Sequence, residues 1–213
     1  MTAIHLDLLD NQRREVLNRL EKFKDEMVLG GGTALALQVG HRKSYDFDLL
    51  VFAPIADKVW RKAKQVLGPG CMKTLDTIDQ LSLVTRENVA VTFLYEEHPL
   101  LFPALETTYT KLARPKDIAV MKAYTVGRRG KWRDYVDLYF LLKDHISLPE
   151  IVELAERRYG GDFSRRQFLE QLVYFKDLDN FAVEFAGNPI EPGQIQVFLE
   201  EQVSKYTTEN IQS

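Results

Sequence analysis

The polar and apolar positions along the chain follow two kinds of pattern, and the change between them comes near residue 113. Between residues 10 and 26, Val16, Leu17, Leu20 and Phe23 recur at helical spacing, which predicts an amphipathic helix. A short apolar run, Met27-Val28-Leu29, then breaks on Gly30-Gly31-Gly32. Thr33 stands where a helix cap is expected, and Ala34 to Gln38 reads as a short helix. Residues 46–53 (DFDLLVFA) predict a strand and residues 56–67 a helix. Two β-rich runs, Leu81 to Thr85 and Val89 to Tyr95, flank Arg86-Glu87-Asn88 and predict a hairpin. Beyond residue 114 only helical patterns follow, at 116–128, 132–143, 149–159, 164–175 and 193–205. Pro115, Pro149 and Pro192 stand near helix starts, where a missing N–H costs little. The expectation is an α/β domain over residues 1–113 and a helical domain over 114–213.

Composition narrows the class. The chain has 213 residues, 45% hydrophobic and 28% charged, with 12 Phe and 9 Tyr, so it can bury a core and is not disordered as a whole. No apolar run approaches the ~20 residues that span a bilayer, so no membrane partner is expected. The stretch from Met1 to Asp7 has neither the basic start nor the apolar segment of a secretory signal. The single cysteine, Cys71, excludes an internal disulfide, and the four scattered histidines exclude a zinc site of usual spacing. A cytoplasmic protein is expected. Cys71 reads as a packing residue, since no Cys–His arrangement accompanies it.

Charge alters the picture locally. The net charge is −3, yet residues 111–133 carry eight basic residues against one acid, Asp117. A basic stripe in an acidic protein points to a local anionic partner. Arg128, Arg129, Lys131 and Arg133 are placed to contact an RNA backbone, with Trp132 and Tyr135 available to stack on bases. The plainer reading of such a run is a solvated face.

The candidate chemistry lies after the glycine turn. Asp46 and Asp48 are two apart on one strand, so both project from the same face, ~6.6 Å apart along it. Two carboxylates so placed can share a divalent cation, and Mg²⁺ favours carboxylate oxygens combined with phosphates and water. The glycines allow the backbone to approach a ligand, and a helix starting at Thr33 would aim free N–H groups at a phosphate. Ser44 and Arg42 precede the pair, and either could bind phosphate. Either motif alone is common, the D-x-D as a strand edge and the glycines as a tight turn. Their order and the apolar neighbours Phe47, Leu49, Leu50, Val51 and Phe52 favour a functional pair, because charge among such residues is costly without a partner.

The segment VLGGGTALALQVGHRKSYDFDLLVF resembles the first motif of the nucleotidyltransferase superfamily and, more closely, of the AbiEii/AbiGii abortive-infection toxin family. Gly31 to Ala36 match that family's G-G-T-A-L-A, and His41, Arg42, Ser44, Asp46, Asp48 and Leu49 match its H-R-x-S-x-D-x-D-L. Residues 117–142 resemble its later lysine motif at Lys122 and its R-D-x-x-D-L helix at Arg133, Asp134, Asp137 and Leu138. The resemblance implies a nucleotide-binding mixed-sheet domain with a helical C-terminal half. It also implies transfer of a nucleoside monophosphate from an NTP, with Mg²⁺ or Mn²⁺, to an acceptor that in some members is the 3′ end of tRNA. An antitoxin encoded nearby, with or without direct contact, is implied as well. In this reading Asp46 and Asp48 hold the metal, Gly31, Gly32, Thr33, Arg42, Ser44 and Lys122 bind the nucleotide, and Asp134 and Asp137 orient Lys122 or an acceptor hydroxyl. The superfamily's third carboxylate has no counterpart at the middle of Val89–Tyr95, where Thr92 stands. That leaves open a catalytically weak nucleotide- or RNA-binding regulatory module. An ordinary interaction domain would leave the glycine and carboxylate motifs unexplained.

Overall fold

The computed structural model describes residues 4–211, so Met1, Thr2 and Ala3 of the N-terminal stretch considered above lie outside the described residues. The chain forms two compact units that divide between Arg114 and Pro115.

The first unit opens with helix α1 (Asn11–Leu20), capped by Asp10, whose carboxylate accepts from the Arg13 N–H at 2.9 Å. Val16, Leu17 and Leu20 supply its buried stripe. The apolar pattern runs on to Phe23, but the α-helix ends at Leu20 and a 3-10 turn covers Glu21–Phe23. Strand β1 (Met27–Gly30) leads into helix α2 (Gly31–Val39), and β2 (Asp46–Val51) into helix α3 (Asp57–Leu67). The expected hairpin is present as β4 (Gln80–Val84) and β5 (Ala90–Tyr95). Three further strands went unpredicted: β3 (Met72–Asp76), β6 (Leu105–Glu106) and β7 (Lys111–Leu112).

These seven strands form one mixed sheet in the order β3-β4-β5-β2-β1-β7-β6. β2 lies at its centre, antiparallel to β1 and parallel to β5. Burial alternates along β2 and β5 as the pleat requires. Phe47, Leu49, Val91 and Phe93 are fully buried on one face, while Asp46, Asp48, Ala90 and Thr92 occupy the other with partial or full exposure. Phe23 packs edge-on against Phe93, their ring centroids 5.4 Å apart. This places the 3-10 turn after α1 on the face opposite the carboxylates.

The second unit is helical: α4 (Pro115–Val126), α5 (Trp132–Asp144), α6 (Leu148–Tyr159), α7 (Arg165–Leu172) and α8 (Pro192–Ile211). Ser147 and Ser164 cap α6 and α7 by accepting from the backbone N–H groups of Glu150 and Gln167. Tyr124 and Tyr159 stack at 4.0 Å between α4 and α6, beside the buried Asp117–Arg158 ion pair at 4.0 Å. Among the described residues no helix is long and apolar enough to cross a membrane.

Candidate active site

Strand pairing builds the carboxylate face. Gly30 of β1 pairs with Asp48 of β2, and Asp48 in turn stands in parallel register with Thr92 of β5. Asp46 lies two residues back along β2, exposed, on the same face. The chain leaves β1 at Gly30 and enters α2 at once, so the helix start lies beside the two aspartates.

Gly31 makes this approach feasible. Its φ is +63°, and a Cβ there would lie 2.4 Å from Asp48 Oδ2. At Gly32 a Cβ would meet the Arg42 guanidinium and stand 3.4 Å from Ser44 Oγ. The two glycines thus leave room for Asp48 on one side and for Arg42 and Ser44 on the other.

Thr33 does not cap the helix as its position suggested. Gly30 takes the cap position, α2 begins at Gly31, and Thr33 sits buried in the first turn, where its hydroxyl donates to the Asp46 carbonyl oxygen. The left-handed Gly31 lets the helix start three residues earlier than a threonine cap would. Thr33 therefore ties the start of α2 to the start of β2.

Arg42 and Ser44 are both buried. Arg42 Nη1 donates to the Lys43 carbonyl at 2.9 Å, and its guanidinium packs beneath the glycine turn. Ser44 Oγ lies 3.5 Å from Asp46 Oδ1 and can donate to it. His41 is buried beside them in sequence.

A neutral polar row continues the face across the sheet. Ser82 of β4 pairs with Thr92, their hydroxyls 3.4 Å apart, and Gln80 Nε2 donates to Ser82 Oγ at 2.7 Å. Sequence reasoning singled out Thr92 but missed Ser82 and Gln80. The alternation in Gln80-Leu81-Ser82-Leu83 was the signal that could have found them.

The pair suits a divalent cation. Its two carboxylates are accessible on one face, with a glycine where any side chain would strike Asp48. Among the described residues no group of three or more His, Cys, Asp or Glu gathers as a metal site, so remaining ligands would come from phosphates and water.

The second unit holds its own charged cluster. Lys122 of α4 is buried, and its ammonium lies 2.7 Å from Asp134 Oδ1 and 2.7 Å from Asp137 Oδ2 of α5. Burial alone would push its pKa down, but the charges of Asp137 and Asp134 outweigh this and hold it above the ordinary lysine value. Asp134 Oδ2 also accepts from the Lys131 backbone N–H at 3.3 Å at the start of α5. The i, i+3 spacing of the two aspartates puts both on the face that meets α4.

The basic stripe is more engaged than its sequence suggested. Lys111 pairs with Glu106, Lys116 with Glu150, and Arg128 donates to the Asp162 carbonyl while covering the Tyr124 ring at 3.6 Å. Arg128, Arg129, Lys131 and Arg133 are exposed. Trp132 and Tyr135 are buried instead of free to stack on bases. Trp132 lies 4.9 Å from Phe181, Tyr135 lies 5.5 Å from Phe175, and the Tyr135 hydroxyl donates to the Gln171 carbonyl.

The comparisons with known proteins bear on this arrangement. Residues 15–71 and 74–205 match the family described as nucleotidyl transferase AbiEii toxins of type IV toxin–antitoxin systems. The chain belongs to the AbiEii nucleotidyltransferase toxin family. An uncharacterized protein of Aquifex aeolicus is 29% identical over 206 residues, 93% of this chain and 97% of its own length. The fold is shared with MenT4, a nucleotidyltransferase toxin of Mycobacterium tuberculosis, at 15% identity and a TM-score of 0.61, covering 90% of this chain and 80% of that one. It is shared also with an H. pylori protein described as a nucleotidyltransferase, at 18% identity and a TM-score of 0.59, over 93% and 94% of the two chains. The expected mixed-sheet nucleotidyltransferase fold is thus the one this AbiEii chain adopts.

Proposed function

We propose that the protein transfers a nucleoside monophosphate from an NTP to an acceptor hydroxyl at the Asp46–Asp48 face. The observation that carries the reading is the placement of two accessible carboxylates, two apart on β2, against a glycine turn that opens into α2. Asp46 and Asp48 would hold Mg²⁺ or Mn²⁺, which polarises the α-phosphate and stabilises the charge developing on pyrophosphate. The backbone N–H groups at the start of α2 would donate hydrogen bonds to the triphosphate oxygens. Arg42 supports the turn from below, and the Ser44 hydroxyl orients Asp46. In the overall step the acceptor oxygen forms a bond to the α-phosphorus, the bond to the pyrophosphate oxygen breaks with its electron pair leaving on pyrophosphate, and the acceptor proton passes to solvent water.

The acceptor we infer is an RNA 3′ end, tRNA among the candidates, with the exposed Arg128, Arg129, Lys131 and Arg133 as phosphate contacts. Lys122 is assigned a part in nucleotide binding, positioned by Asp134 and Asp137. The toxin role of the family extends to this chain as the cytoplasmic partner of an antitoxin encoded nearby. A second reading, a catalytically weak nucleotide- or RNA-binding regulator, is favoured by one observation: Thr92, a neutral residue, stands beside Asp48 where a carboxylate would complete a triad.

Calorimetric titration with each of the four NTPs tests the reading. At least one should bind more tightly with Mg²⁺ than with EDTA, and no binding of any would overturn it.

A further inference from the structure

A groove in the first unit gathers cations from three separate stretches of chain. Arg19 and Lys22, from the end of α1 and the turn after it, form one wall, and Lys58, Arg61 and Lys62 of α3 form the other. The cavity measures about 920 Å³. A second, of about 650 Å³, shares Arg19 and Val66 with it and adds Arg86 from the β4–β5 turn.

Of these six cations, two have a carboxylate beside them. Arg19 lies 2.5 Å from Glu15 and 2.7 Å from Glu87, and Lys62 pairs with Glu26. Lys22, Lys58, Arg61 and Arg86 are different. They are exposed, and none of their side chains makes an ion pair or hydrogen bond among the described residues. On α3, Lys58 stands three residues from Arg61 and four from Lys62, so like charges are neighbours on one helix face, an arrangement that disfavours the helix unless something anionic lies against it. Glu15 and Glu87 also line the two cavities, so the six cations are offset in part, and the four without an ion pair leave a local positive excess in a chain of net charge −3.

We propose that this groove binds the sugar–phosphate backbone of a nucleic acid. A small anion would want a compact, buried set of donors. Here four of the six cations are exposed, and together they spread over two walls and a turn, which suits a chain carrying a negative charge at every unit. An acidic protein segment would want apolar anchors at the centre of its contact, and Val66 is the one apolar side chain lining the larger cavity. Because Phe23 meets Phe93 on the face opposite Thr92, the groove lies on the reverse of the sheet from Asp46 and Asp48. It is therefore a docking surface and not a part of the proposed transfer chemistry.

The test uses the full chain without NTP or divalent metal. Fluorescence anisotropy of a labelled single-stranded RNA is measured over a range of salt concentrations. The triple variant Lys22→Glu, Lys58→Glu, Arg61→Glu should lose at least about tenfold in affinity, and the slope of log K against log salt should shrink by about 2, three contacts at ~0.7 each. A control reversing three exposed cations elsewhere, Arg166→Glu, Lys176→Glu and Lys205→Glu, should change affinity little. The groove variant should bind NTP as wild type does, so failure here is separable from failure of the transfer reading. Unchanged affinity and slope in the groove variant would overturn the proposal. So would an equal loss in the control, or displacement of the RNA by polyglutamate as readily as by unlabelled RNA.

Discussion

Asp48 and Thr92 stand side by side in parallel register on the two central strands, facing the same side of the sheet. A hydroxyl brings no charge to a divalent ion, so the pair at Asp46 and Asp48 works without a third acid from this strand. Thr92→Asp should therefore raise Mg²⁺ affinity by at least about tenfold, or about 1.4 kcal/mol, in a calorimetric titration. Unchanged metal affinity would separate Thr92 from the metal site.

Gly31→Ala tests the close approach of the turn. The substitution puts a side chain at φ +63° and a Cβ 2.4 Å from Asp48 Oδ2. It should cost about 1–3 kcal/mol in urea unfolding and weaken Mg²⁺ binding, since Asp48 must move. A fully stable variant with native metal affinity would mean the turn stands away from the carboxylate.

The cluster in the second unit should be costly to break from one side. Lys122→Met leaves Asp137, fully buried, beside Asp134 without their cation, and should lower stability by about 3–5 kcal/mol. Adding Asp137→Leu should recover part of that loss. The Lys122 pKa is raised on folding, so its contribution is complete below the free-lysine value of about 10.4 and is lost only as pH rises through the higher folded value. A single variant as stable as wild type would contradict the buried pairing.

Much of this organisation was legible in the chain. Helical spacing at Val16, Leu17 and Leu20 found α1, and the apolar runs around Arg86-Glu87-Asn88 found the β4–β5 hairpin. Strand β3 was not legible, because all five of its residues are exposed and carry no alternation; it exists by pairing with β4 at the sheet edge. β6 and β7, two residues each, are too short for any period to show. The D-x-D spacing placed Asp46 and Asp48 on one face, and the i, i+3 spacing placed Asp134 and Asp137 together. Neither spacing could tell that Lys122 lies between the latter two, since that depends on how α4 and α5 pack. Trp132 and Tyr135 looked like stacking groups because a sequence shows aromatic side chains without their burial. The groove cations were hidden for the same reason: they come together only after α1, α3 and a hairpin turn fold.

Glu87 gives a pH signature in the first unit. The Arg19 guanidinium bonded to it, with help from its own backbone N–H, holds its carboxyl down to about 2. A lowered carboxylate pKa stabilises the fold fully above the unfolded value of about 4.3, and the contribution is lost as pH falls towards 2. Glu87→Gln should lose about 1–3 kcal/mol at pH 7, and the gap from wild type should narrow as pH drops through that window. A gap independent of pH would assign the loss to packing.

The central claim is that Asp46 and Asp48 support nucleotidyl transfer. The direct measurement incubates the protein with α-labelled NTP, Mg²⁺ and total RNA, beside Asp46→Asn and Asp48→Asn variants whose folding is checked by melting. Removing one of two neighbouring carboxylates should leave the metal-free melting temperature equal or higher. The account predicts label attached to RNA by the wild type and reduced at least about a hundredfold, or about 2.7 kcal/mol, in each folded variant. Label attached equally by wild type and both variants would contradict it, as would no label attached by the wild type with any of the four NTPs.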